Sequence, residues 1–359
     1  MSRYPATLVL SLIIVIISTN SAHACLEWGV PTIRGHLPLD DHFEEVSGAD
    51  TSQFGKVFHI SEAKKKLRLY ITDKNGKDAQ KVLIYKPGKN KVMLTEDIED
   101  ISVGSCFELK HEKLKQGNNS CIFMADIGGG KRKARNQIVI TIVKDKMKYL
   151  STEEALKVLT VRYPNGESYD AEAMAIHPVT GDIYILTKEL YLDRDENHDD
   201  SFAKPAKLFK LNKHDWTNYS NGGDSTLNFI GLIDFSTISR KMKKDYLSQA
   251  VTAMDISSDG KKLVVSTYRD LFELHVDLAK VIGQEDLNQV LLNEKYTRIE
   301  LSRSEENLSK STRLLQQESI FYEQSLNKTN IYYSSEFKKT DFDYNISPLM
   351  AVECLSELY

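Results

Sequence analysis

The sequence predicts an all-β fold, a five-bladed β-propeller of four-stranded blades, on three observations. Five stretches open alike: EEVSGADTS (44–52), DIEDISVG (97–104), YDAEAMAIHP (169–178), AVTAMDISSDG (250–260) and QQESIFYEQ (316–324), each with a polar, mostly acidic residue at the head of a short apolar run. Each opening is followed by further strand-like runs, and one four-stranded sheet cannot bury both faces alone whereas a ring of sheets can. The last block lacks a fourth strand, and the missing one stands at the other end of the chain as VPTIRGHL (30–37). An N-terminal strand that completes the last blade leaves no open sheet edge at the seam.

The second strands are KVFHISE (56–62), CIFMADIGG (121–129), DIYILTKE (182–189), KLVVSTYRD (262–270) and NIYYSSE (330–336), β-branched or aromatic runs ending in polar residues. The third are LRLYITDKNG (67–76), QIVITIVKD (137–145), KLFKLNKHD (207–215), LFELHVD (271–277) and PLMAVECL (348–355). Fourth strands follow four blocks at 81–86, 157–164, 227–235 and 296–302. Asn75-Gly76, Thr180-Gly181-Asp182 and Ser258-Asp259-Gly260 are hairpin formers. Ser151 and Glu154 have capping-box spacing, which predicts a turn or two of helix there. A second short helix is expected over 286–294, and the polar stretch 303–313 is expected to be a loop.

The repeat makes residues 25–359 one domain. A net charge of −4 gives no field that favours nucleic acid or an anionic membrane. Arg3, an uncharged run over 8–18 and the small-x-small pattern Ala22-His23-Ala24 predict a signal peptide over 1–24, cut before Cys25. The apolar run is short against the ~20 residues that span a bilayer. The chain is therefore expected to be secreted, extracellular or periplasmic, monomeric and without stable membrane insertion; lipidation of Cys25 is disfavoured because Ala22 stands where a lipobox usually has Leu. Four cysteines in an oxidising compartment predict two bridges. Of the three connectivities, the fold favours Cys106–Cys121 and Cys25–Cys354, the latter because those residues fall on adjacent strands of the last blade. No CxxC is present to suggest zinc or redox chemistry.

The first strand of each propeller blade lines the central channel, so Glu45, Glu99, Glu172, Thr252 and Glu318 are expected to converge, with Asp97, Asp100, Asp170 and Asp255 near them. Like charges in a poorly solvated site raise one another's pKa, so this funnel needs compensation by Lys188 and Arg269 or by a hard cation such as Ca²⁺. A structural role fits the same carboxylates, as caps on backbone N–H groups and as partners of Lys188 and Arg269. A second acidic cluster, Asp193, Asp195, Asn197 and Asp199, alternates with the spacing of a calcium loop. His198 and Lys204 replace the Gly and Glu of an EF-hand, and a solvated hairpin tip explains the same pattern. The run Gly128-Gly129-Gly130-Lys131 lacks the strand–loop–helix context of a P-loop and reads as a basic hairpin. There is no GxSxG and no metal spacing among the histidines.

EVSGADTS, TEDIEDISVG, ADIGG with Arg135 downstream, YDAEAMAIHPVTGDIYILTKE, VTAMDISSDGKKLVVSTYRD and the QQESI–YSSE pair together resemble a family of secreted bacterial β-propeller proteins of undetermined activity. That family is distantly similar to β-propeller phytase-like and esterase-like domains. The resemblance runs over about 44–336 and implies a closed propeller with a polar axis, with Glu99, Asp126, Asp170, Glu172, Lys188, Arg269, Glu318 and Glu336 at its recurring polar positions. Gly129 and Gly130 stand where the family usually has Asp-Asn, so two oxygen-bearing side chains are absent from that corner. The expected function is binding of a small molecule or protein partner through the acidic funnel with calcium. A calcium-dependent phosphoesterase resembling the phytases and a purely structural scaffold are the alternatives.

Overall fold

A computed structural model describes residues 25–38, 45–63, 65–107, 109, 119–129, 134–191, 202–218, 225–238, 246–293, 295–301, 317–325, 328–335 and 347–357. The chain opens with β1 (Cys25–Trp28) and β2 (Thr32–Leu37). The first blade follows as β3 (Val46–Thr51), β4 (Val57–Ser61), β5 (Arg68–Thr72) and β6 (Gln80–Tyr85). The second comprises β7 (Ile98–Ser105), β8 (Ser120–Asp126) and β9 (Gln137–Lys144); the chain then gives β10 (Thr152–Glu154) to the edge of the first blade and returns as β11 (Lys157–Arg162). The capping-box helix expected at Ser151 is thus replaced by a strand. β10 lies parallel to β6, because its backbone satisfies the free edge of that sheet instead of its own first turn.

The third blade is β12 (Ala171–Ile176), β13 (Ile183–Thr187), the outlying hairpin β14 (Leu190–Tyr191) and β15 (Phe202–Ala203), and β16 (Ala206–Leu211), closed after α1 (Lys213–Thr217) and β17 (Ser225–Thr226) by β18 (Asn228–Ile233). After α2 (Phe235–Ile238) come β19 (Val251–Ile256), β20 (Leu263–Thr267), β21 (Asp270–Leu274), α3 (Gln284–Leu292) and β22 (Tyr296–Glu300) of the fourth blade. The fifth is β23 (Gln317–Ser325), β24 (Lys328–Ser335) and β25 (Ser347–Glu357), with β1 and β2 both paired antiparallel to β25. Each blade is an antiparallel meander, as its alternating apolar runs and hairpin turns dictate.

The five inner strands touch in a ring, β3 to β7, β12, β19, β23 and back to β3. The core is correspondingly divided among the joints between blades. Phe123, Ile140, Met174, Ile185 and Phe209 pack between the second and third blades around Trp216, which α1 carries inward. Ala49 and Val57 of the first blade meet Phe321, Tyr332, Leu349 and Ala351 of the fifth, so the ring has an apolar joint on every side. Burying one such large side chain contributes about 1.5–3 kcal/mol. Both expected disulfides are formed: Cys106–Cys121 joins the end of β7 to β8, and Cys25–Cys354 joins β1 to β25. Two bridges fit an oxidising, extracellular-type environment. Among the described residues no helix is long and apolar enough to cross a membrane.

Candidate functional site

All five inner strands slip register near their start, each setting one extra residue against its second strand. Such a bulge re-aims a side chain. The inserted residues are Ser47, Glu99, Glu172, Thr252 and Glu318, all buried. Four are those expected to converge; in the first blade the position belongs to Ser47, while Glu45 sits in the preceding turn with φ of 54°. The Ser47 hydroxyl donates to the Ile98 carbonyl of the next blade, 2.7 Å away.

Counting on from the bulges separates structural carboxylates from the rest. Three residues further stand Asp50, Ser102, Ala175, Asp255 and Phe321, and the backbone N–H of each following residue needs an acceptor. Asp50 accepts from Thr51 and Val103, Ser102 from Ile176, and Asp255 from Ile256 and Tyr322. Two aspartates and a serine thus serve all five donors and stitch neighbouring blades. One level nearer the bulges, Asp100 accepts from Ile101 (2.8 Å), Met174 (2.7 Å) and Met254. Burial raises Asp50 and Asp100 well above the usual carboxylate range, with Asp255 adding repulsion to both, and lifts Asp255 to about 7.

The residue after each second strand stands beside the bulge, and there lie Glu62, Ile127, Lys188 and Tyr268. Lys188 Nζ is 3.0 Å from Glu172 Oε1 and lies 5.0 Å over the Tyr268 ring. Burial works against its ammonium, but Glu172, Tyr268 and Glu318 outweigh that and hold it well above its ordinary value. Burial pushes Glu172 up to about 7 against the pull of Lys188. Glu99 is 4% exposed and accepts no hydrogen bond or ion pair among the described residues. Burial, then Glu172, Glu62 and Asp97, raise it well above its usual range. Thr252 Oγ1 is likewise buried without a hydrogen-bond partner among the described residues. Glu99, Glu172, Glu318, Lys188 and Tyr268 are thus electrostatic neighbours at the bulged end of the inner strands.

Two expected site residues act as caps. Asp126 accepts from the backbone of Glu96 (3.0 Å) and Asp97 (2.9 Å) and holds Arg135 at 2.8 Å; Asp170 accepts from Gly129. Arg269 shares the β20–β21 turn with Tyr268, and it is Tyr268 that meets Lys188. Glu336 and the acidic run Asp193, Asp195, Asn197 and Asp199 lie outside the described residues. Glu62 and Tyr268 were not singled out from sequence, although they occupy the same register position as Lys188. Oxygens of Glu62, Asp97 and Glu99 lie within 4.8 Å of one another, a donor set that suits a hard cation. At the opposite end of the axis a cavity of about 480 Å³ is floored by Asp50 and Asp255 and flanked by the Lys74–Glu323 ion pair.

No family model and no curated protein matches the sequence. Solved structures similar to this chain include the major Malassezia sympodialis allergen Mala s 1 (10% identity over 88% of this chain and 96% of that one, TM-score 0.46). The PQQ-bound aldose sugar dehydrogenase of Streptomyces coelicolor matches at 8% identity over 92% and 99% of the two chains, with a TM-score of 0.41. A streptogramin B lyase matches at 8% over 90% and 97%, with a TM-score of 0.36. Likenesses this distant say nothing of activity, and the chain stands beside distant β-propeller proteins with its site to be read from its own residues.

Proposed function

We propose that this is a secreted propeller that binds a small molecule or protein partner through the acidic mouth at the bulged end of its channel, with calcium offsetting the mouth's charge. The observation that carries the reading is Glu99, a buried carboxylate that accepts no hydrogen bond among the described residues. The buried carboxylates that stitch the blades, Asp50, Asp100 and Asp255, all accept backbone N–H groups, and an unmade buried hydrogen bond costs about 1–3 kcal/mol. Secretion accords with the two disulfides and the leader-like segment 1–24. Closure of the last blade by the N-terminal strands is part of the same reading, supported by the pairing of β1 and β2 with β25. Phosphoester chemistry needs cations free to hold phosphate, whereas Lys188 is engaged by Glu172 and Tyr268.

The test is a thermal-shift panel of small carboxylates, phosphates, sugars and amines with the mature protein in calcium. The double variant Glu172→Gln/Lys188→Met removes the ion pair without leaving one charge unpaired. Ligands that shift the wild type and not this variant support a binding mouth. A panel in which every shift survives the double variant, or none occurs, returns the protein to the scaffold alternative.

A further inference from the structure

The geometry points to a calcium-type cation site built by Glu62, Asp97 and Glu99 at the joint of the first and second blades. Its open coordination positions would take an oxygen-bearing ligand. This inference rests on the mouth being a binding site and names how the ligand is held there. The cluster of carboxylates alone would be an ordinary acidic patch; two further observations make it a site. Glu99 is 4% exposed and makes no hydrogen bond or contact ion pair among the described residues, so within them its charge is offset only at longer range, by Lys188. Taking such a group from water is costly unless it is paired or binds a metal.

The second observation is the wall of the cradle. Gly128 approaches so closely that a Cβ there would lie 2.2 Å from Glu99 Oε1 and 2.6 Å from Asp97 Oδ2. A side chain at 128 would therefore occupy the space where the carboxylate oxygens of Glu99 and Asp97 gather. The segment bearing Asp97 is itself held in place, because Asp126 accepts from the N–H groups of Glu96 and Asp97 and is fixed by Arg135. Support of ligating groups by such outer contacts is how metal sites hold their geometry.

The donor set selects the class of ion. It contains carboxylates and neither His nor Cys, which favours hard divalent cations over zinc or copper. Three carboxylates offer at most six oxygens, and Ca²⁺ takes six to eight. Each carboxylate that binds through one oxygen leaves a further position for water or for a ligand's carboxylate, phosphate or hydroxyl oxygens. A ligand so placed would lie in the field of Lys188, which acts on Glu99.

Calorimetric titration of the mature protein with CaCl₂ tests the assignment, with Tb³⁺ luminescence as a second readout. The expected result is a site in the wild type that is weakened at least tenfold in Glu99→Gln and in Gly128→Ala, and left unchanged in Asp193→Asn/Asp195→Asn. Glu99→Gln keeps the shape of the side chain, and its melting transition shows that it is folded. Wild type that binds no calcium, or binding retained within twofold in both mouth variants, overturns the site. If the wild type takes no calcium while Glu172→Gln/Lys188→Met still abolishes ligand shifts, the cation assignment fails and the binding reading stands. Calcium bound as expected with no ligand-dependent shift sinks the binding reading instead.

Discussion

Removing the bridge between Cys25 and Cys354 should cost this protein more stability than removing Cys106–Cys121, and the difference follows from where the two lie. The first links residues 329 apart and ties β1 to β25 at the outer edge of the fifth blade; the second links residues 15 apart within one hairpin. A cross-link stabilises mainly by restricting the unfolded chain, an effect that grows with the logarithm of the loop it closes, to about 6 kcal/mol for the long loop and about 3 kcal/mol for the short one. Globular proteins gain about 2.1 cal/mol/K of unfolding entropy per residue, so in a domain this size ~6 kcal/mol corresponds to roughly 8 °C of Tm and ~3 kcal/mol to roughly 4 °C. Scanning calorimetry of Cys25→Ser/Cys354→Ser and Cys106→Ser/Cys121→Ser under non-oxidising and oxidising conditions measures both. A loss for the terminal pair no greater than for the hairpin pair would refute the idea that the long bridge confines the whole ring.

Two further outcomes are expected. Lys188→Met alone leaves Glu172 buried without its cation and should cost about 3–5 kcal/mol, whereas adding Glu172→Gln should restore most of it; chemical denaturation of the four proteins of that cycle gives the coupling, and simple additivity would contradict a mutual pair. Asp255 is held by burial at about 7 in the folded protein against 3.8 when unfolded. Between those values the native state keeps a proton that the unfolded state has released, so this group's effect becomes steadily more destabilising as pH rises from about 4 to about 7 and is constant above. The stability of Asp255→Asn relative to wild type should accordingly improve across that window, and a difference independent of pH would show that Asp255 is ionised in both states.

The repeat, the blade count, the hairpin turns and both disulfide pairs were legible because period-two patterning and turn chemistry are local signals. What patterning does not carry is a bulge, which shifts the alternation by one residue and leaves no mark of its own. That is why Glu45 reads as the first blade's axial residue when Ser47 holds the place; the better signal was the match of Ser47-Gly48-Ala49-Asp50 with Thr252-Ala253-Met254-Asp255. The same shift hid Glu62 and Tyr268, which stand one residue past the second strands, next to the bulged ends of their own blades. The strand β10 was misread as helix because its partner is a distant edge, which no capping pattern reports.

Whether an acidic residue on the axis serves the fold or a ligand could not be read from its type, since both kinds are Asp or Glu at the head of an apolar run. The distinction lies in the count of backbone donors. Beyond the bulges each inner strand turns an N–H toward the axis, and Asp50, Ser102, Asp255 and Asp100 are placed to accept them. At the bulges the ladder is interrupted, and among the described residues Glu99 and Glu172 accept no backbone N–H. Glu172 is answered by Lys188 from its own hairpin. Glu99 has Ile127 in the corresponding place, an apolar residue with nothing to offer a carboxylate. Among the described residues, the second blade is therefore where a buried carboxylate of the inner strands stands without a hydrogen-bond partner from its own hairpin.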